Sequence, residues 1–190
     1  MKLDPNMIKF RRLIFEDLPL MYDWIRNDRF VNRFWAYNKK EPYEKVTQEF
    51  SDYIKRVEPT DPYLILYNDT PIGYIQTFNW SDYPVFEKYV DLTNSASLDL
   101  FIGEEEYRNK GLGTKILSRF LSQFVFSDES VDRCIINPEV NNSIAIRAYE
   151  KVGFQIIKMV PDIPEEPEPV FFMSLDRHNF QDKYHKKSDS

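Results

Sequence analysis

The chain has 190 residues, of which 42% are hydrophobic and 29% charged, and this suits one globular domain with an apolar core. Its formal net charge of −6 argues against nucleic acid and anionic membranes as partners, because both favour a basic surface. One cysteine, Cys134, excludes an intrachain disulfide, and two histidines near the C-terminus leave us predicting no metal site. Without a signal-like or membrane-spanning apolar run, we expect a cytoplasmic protein, either monomer or homodimer.

The N-terminal half of the chain predicts one strand, two helices and a hairpin. The first strand is predicted at 8–13, where "IKFRRL" alternates apolar and polar residues. The stretches "FEDLPLMYDWIRND" and "EPYEKVTQEFSDYIKRVEP" repeat apolar residues at helical spacing, which predicts two helices. The apolar runs "YLILY" and "IGYIQTF" flank a turn-forming stretch at 68–71, which predicts a hairpin.

The C-terminal half predicts two strand–helix units and a final pair of strands. "SASLDLFIG" predicts a central strand, and a helix is expected from Gly111 to about Phe126. "VDRCIIN" predicts the next strand, and "NNSIAIRAYEKVG" a helix that Asn141 or Asn142 caps and Gly153 ends. "FQIIKMV" and "PVFFMSL" predict two more strands. This mixed order indicates an α+β sheet in one domain over 1–178, followed by a polar, mobile tail over 179–190.

The stretch "EYRNKGLGTKIL" has the composition of a phosphate-binding loop before a helix. The Walker A spacing fails because Lys110 precedes the glycine, and the dinucleotide fingerprint fails because Ile116 stands where a third glycine is needed. What remains is the pattern [QR]-x-x-G-x-[GA] from Arg108 to Gly113. Small residues there let backbone N–H groups approach a pyrophosphate at a helix start. A plain loop with a capped helix stays the alternative.

A second motif lies on the helix that follows the next predicted strand. Asn142, Ala145 and Tyr149 fall at i, i+3 and i+7 and so share one helical face. Together the two stretches resemble the GNAT superfamily of N-acetyltransferases, over about 8–175 in element order and 97–154 in motifs. The resemblance implies a mixed, mostly antiparallel twisted sheet of six to seven strands, splayed at the centre and flanked by about four helices.

The same resemblance implies where acetyl-CoA binds, between two splayed parallel strands. The amides of 108–114 would hold the pyrophosphate, Asn142 would contact the pantetheine arm, and Tyr149 would lie beside the thioester sulfur. The residues so assigned to CoA are Leu100, Phe101, Ile102, Arg108, Asn109, Lys110, Gly111, Leu112, Gly113, Thr114, Asn137, Asn142 and Ala145.

A closer resemblance is to the aminoglycoside 6'-N-acetyltransferases of that superfamily. It rests on "TPIGYIQ", "SLDLFIG", "KGLGTKIL" and "AIRAYEKVGF". Those enzymes carry an aspartate twelve residues before the first loop glycine, and Asp99 and Gly111 reproduce this spacing. They usually have Asp-Pro at the end of the next strand, where this chain has Asn137-Pro138. This departure concerns the substrate more than the fold or the cofactor.

The predicted reaction is attack of a primary amine on a thioester. An alkyl ammonium must lose a proton before it attacks, and Asp99 could bind the cation and accept that proton. A backbone N–H of the 100–102 strand would face the developing oxyanion, and Tyr149 would protonate the leaving thiolate. The sequence offers no residue suited to a covalent acyl-enzyme, so we predict direct transfer with Asp99 and Tyr149 as the catalytic pair.

The acceptor site is predicted from aromatic and acidic residues, which suit a hydroxylated polycation. The residues assigned to it are Trp24, Trp35, Tyr37, Trp80, Asp82, Glu87, Asp91 and Glu165. Core packing and a solvated acidic loop remain the alternative for each of them. The leading hypothesis is acetylation of the 6'-amine of an aminoglycoside. The alternatives are acetylation of a polyamine, a protein N-terminus or lysine, or a siderophore precursor, and a non-catalytic acyl-CoA-binding module.

Overall fold

The computed structural model describes residues 3–164 and 166–185, without the side chain of His185. Its strands are β1 (Ile8–Arg12), β2 (Asp61–Tyr67), β3 (Thr70–Asn79), β4 (Ser95–Ile102), β5 (Arg133–Ile136), β6 (Gln155–Val160) and β7 (Val170–Asp176). Its helices are α1 (Leu18–Asn27), α2 (Arg29–Trp35), α3 (Tyr43–Lys55), α4 (Leu112–Phe120), α5 (Ser143–Val152) and α6 (Arg177–His185). A π-helical turn, Leu121–Val125, continues α4.

The seven strands form one mixed sheet with the order β1-β2-β3-β4-β5-β7-β6. The pairs β1–β2, β2–β3, β5–β7 and β6–β7 are antiparallel. The pair β4–β5 is parallel, with Ser95 opposite Arg133 and Ala96 opposite Cys134. The described register of this pair ends there, although β4 continues to Ile102. The predicted α+β class and the mixed, mostly antiparallel sheet are confirmed.

The chain divides into two compact units. The first unit holds the described residues up to Thr77 and Asp99–Gly113, and the second holds Phe78–Leu98 and the described residues from Thr114 onward. The predicted single domain over 1–178 stays a prediction.

The core of the first unit forms where α1 and α3 place apolar side chains at helical spacing. Met21 and Trp24 of α1 and Phe50 of α3 are buried in one cluster with Tyr74 and Phe101. Asp28 separates α1 from α2, since its backbone is extended and its carboxylate accepts from Val31 N–H at 2.9 Å as the N-cap of α2. The sequence did not predict α2 as a separate helix.

The second unit has its own core and the helix end signals that the sequence predicted. Trp80 is 2% exposed, and its Nε1 donates to the Ile135 carbonyl at 2.9 Å. The N-cap of α5 is Asn142, whose side chain accepts from Ala145 N–H, and α5 ends at Gly153 with φ 129°. Both ends of this helix are therefore confirmed, and the choice between the two asparagines falls on Asn142.

Helix α6 corrects the predicted C-terminal tail. The side chain of Phe180 is buried, and its ring packs 5.2 Å from Phe126 and stacks 5.4 Å from Tyr184. Phe180 and Tyr184 are four residues apart in a polar segment, so they lie on the same helical face and contact each other there. The prediction of a mobile tail is wrong for 179–185, and 186–190 lie outside the described residues.

Strands β3 and β4 approach closely at Gly73. A Cβ there would lie 2.3 Å from the carbonyl oxygen of Phe101 and 2.9 Å from the Cα of Ile102. We therefore expect Gly73→Ala to lower the free energy of unfolding by about 1–3 kcal/mol, since backbone atoms must move. Urea unfolding followed by circular dichroism measures this. The matched control is Gly113→Ala, whose Cβ meets nothing within 4 Å. Equal stability of Gly73→Ala and wild type would contradict the close approach.

Candidate active site

Asp99 lies on β4 and is held by a side chain from β3. It is half-buried, between the fully buried Leu98 and Phe101, which is 5% exposed. The Asp99 Oδ2 accepts a hydrogen bond from Gln76 Nε2 at 3.1 Å, and the hydroxyl of Tyr74 donates to Gln76 Oε1 at 2.8 Å. A carboxylate in the middle of a central strand therefore has a buried amide partner, as a charge in such a place requires.

Tyr74 is the most enclosed member of this group. Its side chain is 0% exposed, and its ring packs against Trp35, Phe50 and Phe101 with centroid distances of 5.5, 5.3 and 5.8 Å. Burial raises the pKa of Tyr74 well above its usual value, and the fields of Tyr53, Glu49 and Asp99 raise it further. The hydroxyl is therefore protonated at neutral pH and is available as a donor.

The loop after β4 is fastened by the side chain of Arg108. The Arg108 Nε donates to the Ile102 carbonyl at 2.7 Å, and its Nη2 donates to the Gly103 carbonyl at 2.6 Å. The same nitrogen lies 2.8 Å from Asp28 Oδ2 in an ion pair whose side chains are 14% and 20% exposed. The guanidinium also lies 5.4 Å from the ring centroid of Phe30. The Nε and Nη2 groups of Arg108 are thus used within the protein.

Trp24 supports this loop from the core and does not fit the predicted role of a ligand-facing wall. It is 4% exposed, and its Nε1 donates to Glu104 Oε1 at 2.9 Å. The indole lies against Gly103, where an added Cβ would meet it at 2.3 Å. Trp80 is likewise buried in the core of the second unit, so both indoles are core side chains. Trp35 and Tyr37 are half-buried.

The glycine loop has the backbone conformation and open space that an anion needs. Asn109 and Gly111 have φ values of 57° and 77°, and α4 begins at Leu112. A Cβ on Gly111 or on Gly113 would meet nothing within 4 Å. Leu112 is 2% exposed and anchors the first turn, while Lys110 is exposed. An exposed helix start with small residues and a nearby cation fits a phosphate group.

In the second unit, α5 carries the predicted Asn142–Tyr149 face. The cap uses the amide oxygen of Asn142, which lies 3.2 Å from the Ala145 nitrogen. Tyr149 is 7% exposed, and its ring lies edge-on to Phe154 at 5.6 Å. Thr114, the first residue of this unit on α4, is half-buried, and its carbonyl accepts from the Ser118 hydroxyl at 3.0 Å.

The acidic residues assigned to the acceptor differ in how far their charge is already compensated. Asp82 and Glu87 are exposed. Asp91 accepts from Thr93 N–H at 3.0 Å and pairs with Arg133 at 2.7 Å, and these contacts, the backbone one first, hold the pKa of Asp91 well below its usual value. Its charge is therefore already balanced by an arginine. Glu165 lies outside the described residues.

The end of β5 has a carboxylate, Glu166, beside the residue that replaces the expected aspartate. Asn137 stands where the aminoglycoside enzymes usually have an aspartate, and its Nδ2 lies 3.4 Å from Glu166 Oε1. Glu166 is half-buried. The acidic, proline-rich segment thus brings a carboxylate to the residue that lacks one. Two residues were missed, namely Tyr74 and Gln76. Alternation in "IGYIQTF" could have placed both on one face.

Within the ranges that the structure covers, no group of three or more His, Cys, Asp and Glu side chains could hold a metal ion. The helices described there include none with the length and apolar content needed to cross a bilayer.

Comparison with known proteins assigns these features to one family. A family model described as an acetyltransferase (GNAT) domain matches residues 14–161. The aminoglycoside N(6')-acetyltransferase type 1 of Klebsiella pneumoniae is 26% identical over 157 residues, which cover 79% of this chain and 75% of the relative. A crystal structure of aminoglycoside acetyltransferase AAC(6')-Ib with coenzyme A and kanamycin has a TM-score of 0.80 at 27% identity, covering 93% of this chain and 99% of that chain.

A more distant solved structure shares the fold. Spermidine N-acetyltransferase from Vibrio cholerae, in complex with CoA and spermine, has a TM-score of 0.71 at 16% identity over 93% of this chain and 99% of that chain. At this identity the similarity concerns the fold alone.

The contacts of the Arg108 side chain with the Ile102 and Gly103 carbonyls and with Asp28 should contribute more stability than an exposed ion pair. Arg108→Lys keeps the charge and removes the planar fork that reaches two carbonyls and Asp28, so we expect a loss of about 1–3 kcal/mol in the free energy of unfolding. Arg133→Lys is the matched control, because its partner Asp91 is 68% exposed, and we expect a loss below about 1 kcal/mol. Urea titration of both variants makes the comparison. Equal losses of unfolding free energy in the two variants would contradict the larger contribution of Arg108.

Proposed function

Because this chain belongs to the acetyltransferase (GNAT) family, we propose that it transfers the acetyl group of acetyl-CoA to a primary amine of a cationic small molecule, the 6'-amine of an aminoglycoside. The observation that carries the proposal is Asp99, twelve residues before Gly111 and held on β4 by Gln76. Relatives named aminoglycoside N(6')-acetyltransferase, 26% identical over most of the chain, support the same substrate class.

The glycine loop is proposed to hold the CoA pyrophosphate. Acetyl-CoA supplies an activated acetyl thioester when it is bound. The backbone N–H groups of 108–114 face the phosphates in this proposal, and the open space over Gly111 and Gly113 supports it. The Arg108 side chain acts on this loop from within, through the Ile102 and Gly103 carbonyls.

Asp99 is proposed to bind the ammonium and accept its proton. A primary alkyl amine is mostly protonated at neutral pH and cannot attack until it loses that proton. A half-buried carboxylate on the strand can attract the cation and then take the proton directly or through water. Backbone N–H groups within Leu100–Ile102 are proposed to face the carbonyl oxygen as negative charge develops on it.

Tyr149 is proposed to donate a proton to the leaving thiolate. It is largely buried on α5 and shares one helical face with Asn142 and Ala145. Its ring packs edge-on against Phe154. Phenols and thiols have ordinary pKa values within about two units of each other, which suits a proton transfer between the two groups. No acyl-enzyme is needed, so the amine attacks the thioester directly.

Acceptor selection is proposed to rest on the carboxylates of Asp82, Glu87 and Glu166. Asp82 and Glu87 are exposed, and Glu166 is held at Asn137. Trp35 and Tyr37, both half-buried, are proposed as the aromatic part of the site. Asp91 contributes less because Arg133 already compensates its charge.

The test of the substrate proposal is a thiol-release assay with acetyl-CoA across aminoglycosides with a 6'-amine, aminoglycosides with a 6'-hydroxyl, polyamines and peptides. We expect turnover only where a 6'-amine is present, because that amine is the proposed nucleophile. Turnover of polyamines or peptides in its place would move the substrate to another amine class. Thermal stabilisation by CoA without turnover of any amine would favour an acyl-CoA-binding module.

Removal of the Tyr149 hydroxyl should separate chemistry from cofactor binding. We expect Tyr149→Phe to lower kcat by about 10²-fold or more, as loss of a general acid does, with CoA affinity within about threefold of wild type. Tyr184→Phe on α6 removes the hydroxyl of a tyrosine that is 38% exposed, and it serves as the control. Steady-state rates and CoA titration by calorimetry give both values. An unchanged kcat would remove Tyr149 from the mechanism.

A further inference from the structure

A buried chain of hydrogen bonds runs from Tyr74 through Gln76 to Asp99. The Tyr74 hydroxyl lies 2.8 Å from Gln76 Oε1, and Gln76 Nε2 lies 3.1 Å from Asp99 Oδ2. Tyr74 and Gln76 are 0% and 6% exposed, while Asp99 is half-buried. The chain thus has a closed end in the core and an end that solvent reaches at the carboxylate.

The direction of both hydrogen bonds follows from the chemistry of the three groups. An ionised carboxylate only accepts, so the amide of Gln76 must turn its NH₂ toward Asp99 and its oxygen toward Tyr74. That oxygen requires a donor, and the hydroxyl of Tyr74 is kept protonated by burial, which raises the pKa of Tyr74 well above its usual value. The Asp99 carboxylate and the Tyr74 hydroxyl therefore both favour the same orientation of the Gln76 amide.

We propose that Tyr74 and Gln76 are positioning residues, which orient the Asp99 carboxylate toward the amine and keep it ionised. This inference rests on the proposed function, because it assigns to Asp99 the acceptance of the amine proton. The Gln76 amide donates to the Oδ2 atom of the Asp99 carboxylate. The aromatic rings of Trp35, Phe50 and Phe101 pack against Tyr74 and hold it in place. Tyr74 in turn holds Gln76, and Gln76 holds Asp99.

The other titratable groups that act on Tyr74 lie on α3. Tyr53 and Glu49 on α3 act on Tyr74 electrostatically, together with Asp99 on β4, and all three raise the pKa of Tyr74. The Tyr53 hydroxyl donates to Glu49 Oε1 at 2.5 Å, so the charge of Glu49 is partly taken up on α3. The Gln76 amide is the neutral group that separates the Tyr74 hydroxyl from the Asp99 carboxylate.

The variant that tests the inference is Gln76→Met, which keeps the length of the side chain and removes its amide. Loss of a hydrogen bond to the ionised carboxylate should move the acid limb of the kcat/KM profile up by about one pH unit. The value of kcat/KM for the amine should then fall about tenfold at pH values below the wild-type limb and stay unchanged above the shifted limb. The KM for acetyl-CoA should stay within about twofold, because the hydrogen bonds between Tyr74, Gln76 and Asp99 do not involve the glycine loop. A residue that only filled the core would not move the pH profile.

Two further variants separate positioning from folding. Tyr74→Phe/Gln76→Met removes both buried polar partners, so it leaves no unpaired hydroxyl, and the same upward shift is expected. Gln48→Met makes the matched change on the exposed face of α3, where Gln48 bonds Asp52, and should behave as wild type. Circular dichroism establishes that each variant is folded before its profile is measured.

A second measurement is independent of any substrate. The carboxyl carbon of Asp99 is followed by NMR as pH is changed, with Asp99→Asn used to assign the signal, and Gln76→Met should raise its titration midpoint by about one pH unit. Folded Gln76 variants in which both this midpoint and the acid limb coincide with wild type would overturn the inference. If wild type acetylates no amine while the midpoint still rises in Gln76→Met, the hydrogen-bond control of Asp99 is supported and the proposed function fails.

Discussion

The hydrogen bond between the Gln76 amide and the Asp99 carboxylate allows a charged side chain to lie in the middle of a central strand. Without a donor, a carboxylate flanked by buried Leu98 and Phe101 would carry a large desolvation cost. The donor comes from β3, which is the neighbour of β4 in the sheet. Gln76 needs a partner of its own, so a protonated Tyr74 lies beneath it. One charge thus determines the polar content of this part of the core.

The backbone at the C-terminal end of β4 is held by a second set of contacts. Gly103 lies against the indole of Trp24, and Arg108 returns from the loop to the carbonyls of Ile102 and Gly103. Asp28 both caps α2 and pairs with Arg108, so the start of that helix and the loop share one carboxylate. The backbone that leads to the open glycines is therefore attached at several points before α4 begins, which is the preorganisation that a phosphate-binding loop needs.

Local patterns predicted most of the elements, whereas the partners of individual side chains depended on contacts between distant segments. The cap at Asn142 and the stop at Gly153 are signals within one helix, and both were found. Trp24 and Trp80 were assigned to a ligand because aromatic residues near acids look alike whether they are buried or exposed, and only packing shows that both are core. Gln76 and Asp99 are 23 residues apart, so no local pattern joins them. Helix α6 was missed because one buried Phe180 outweighs its polar neighbours.

The difference between the two halves of the proposed site has a physical origin. A pyrophosphate is recognised by backbone N–H groups, and these demand small residues at fixed spacing, so the loop is visible in one short stretch. A polyamine or aminoglycoside is recognised by carboxylates that any exposed loop can supply. Arg133 compensates the charge of Asp91, and the amide of Asn137 holds Glu166 through a hydrogen bond. Asn137 therefore need not reduce the acidity of this strand end, because an amide can hold a glutamate that an aspartate would repel.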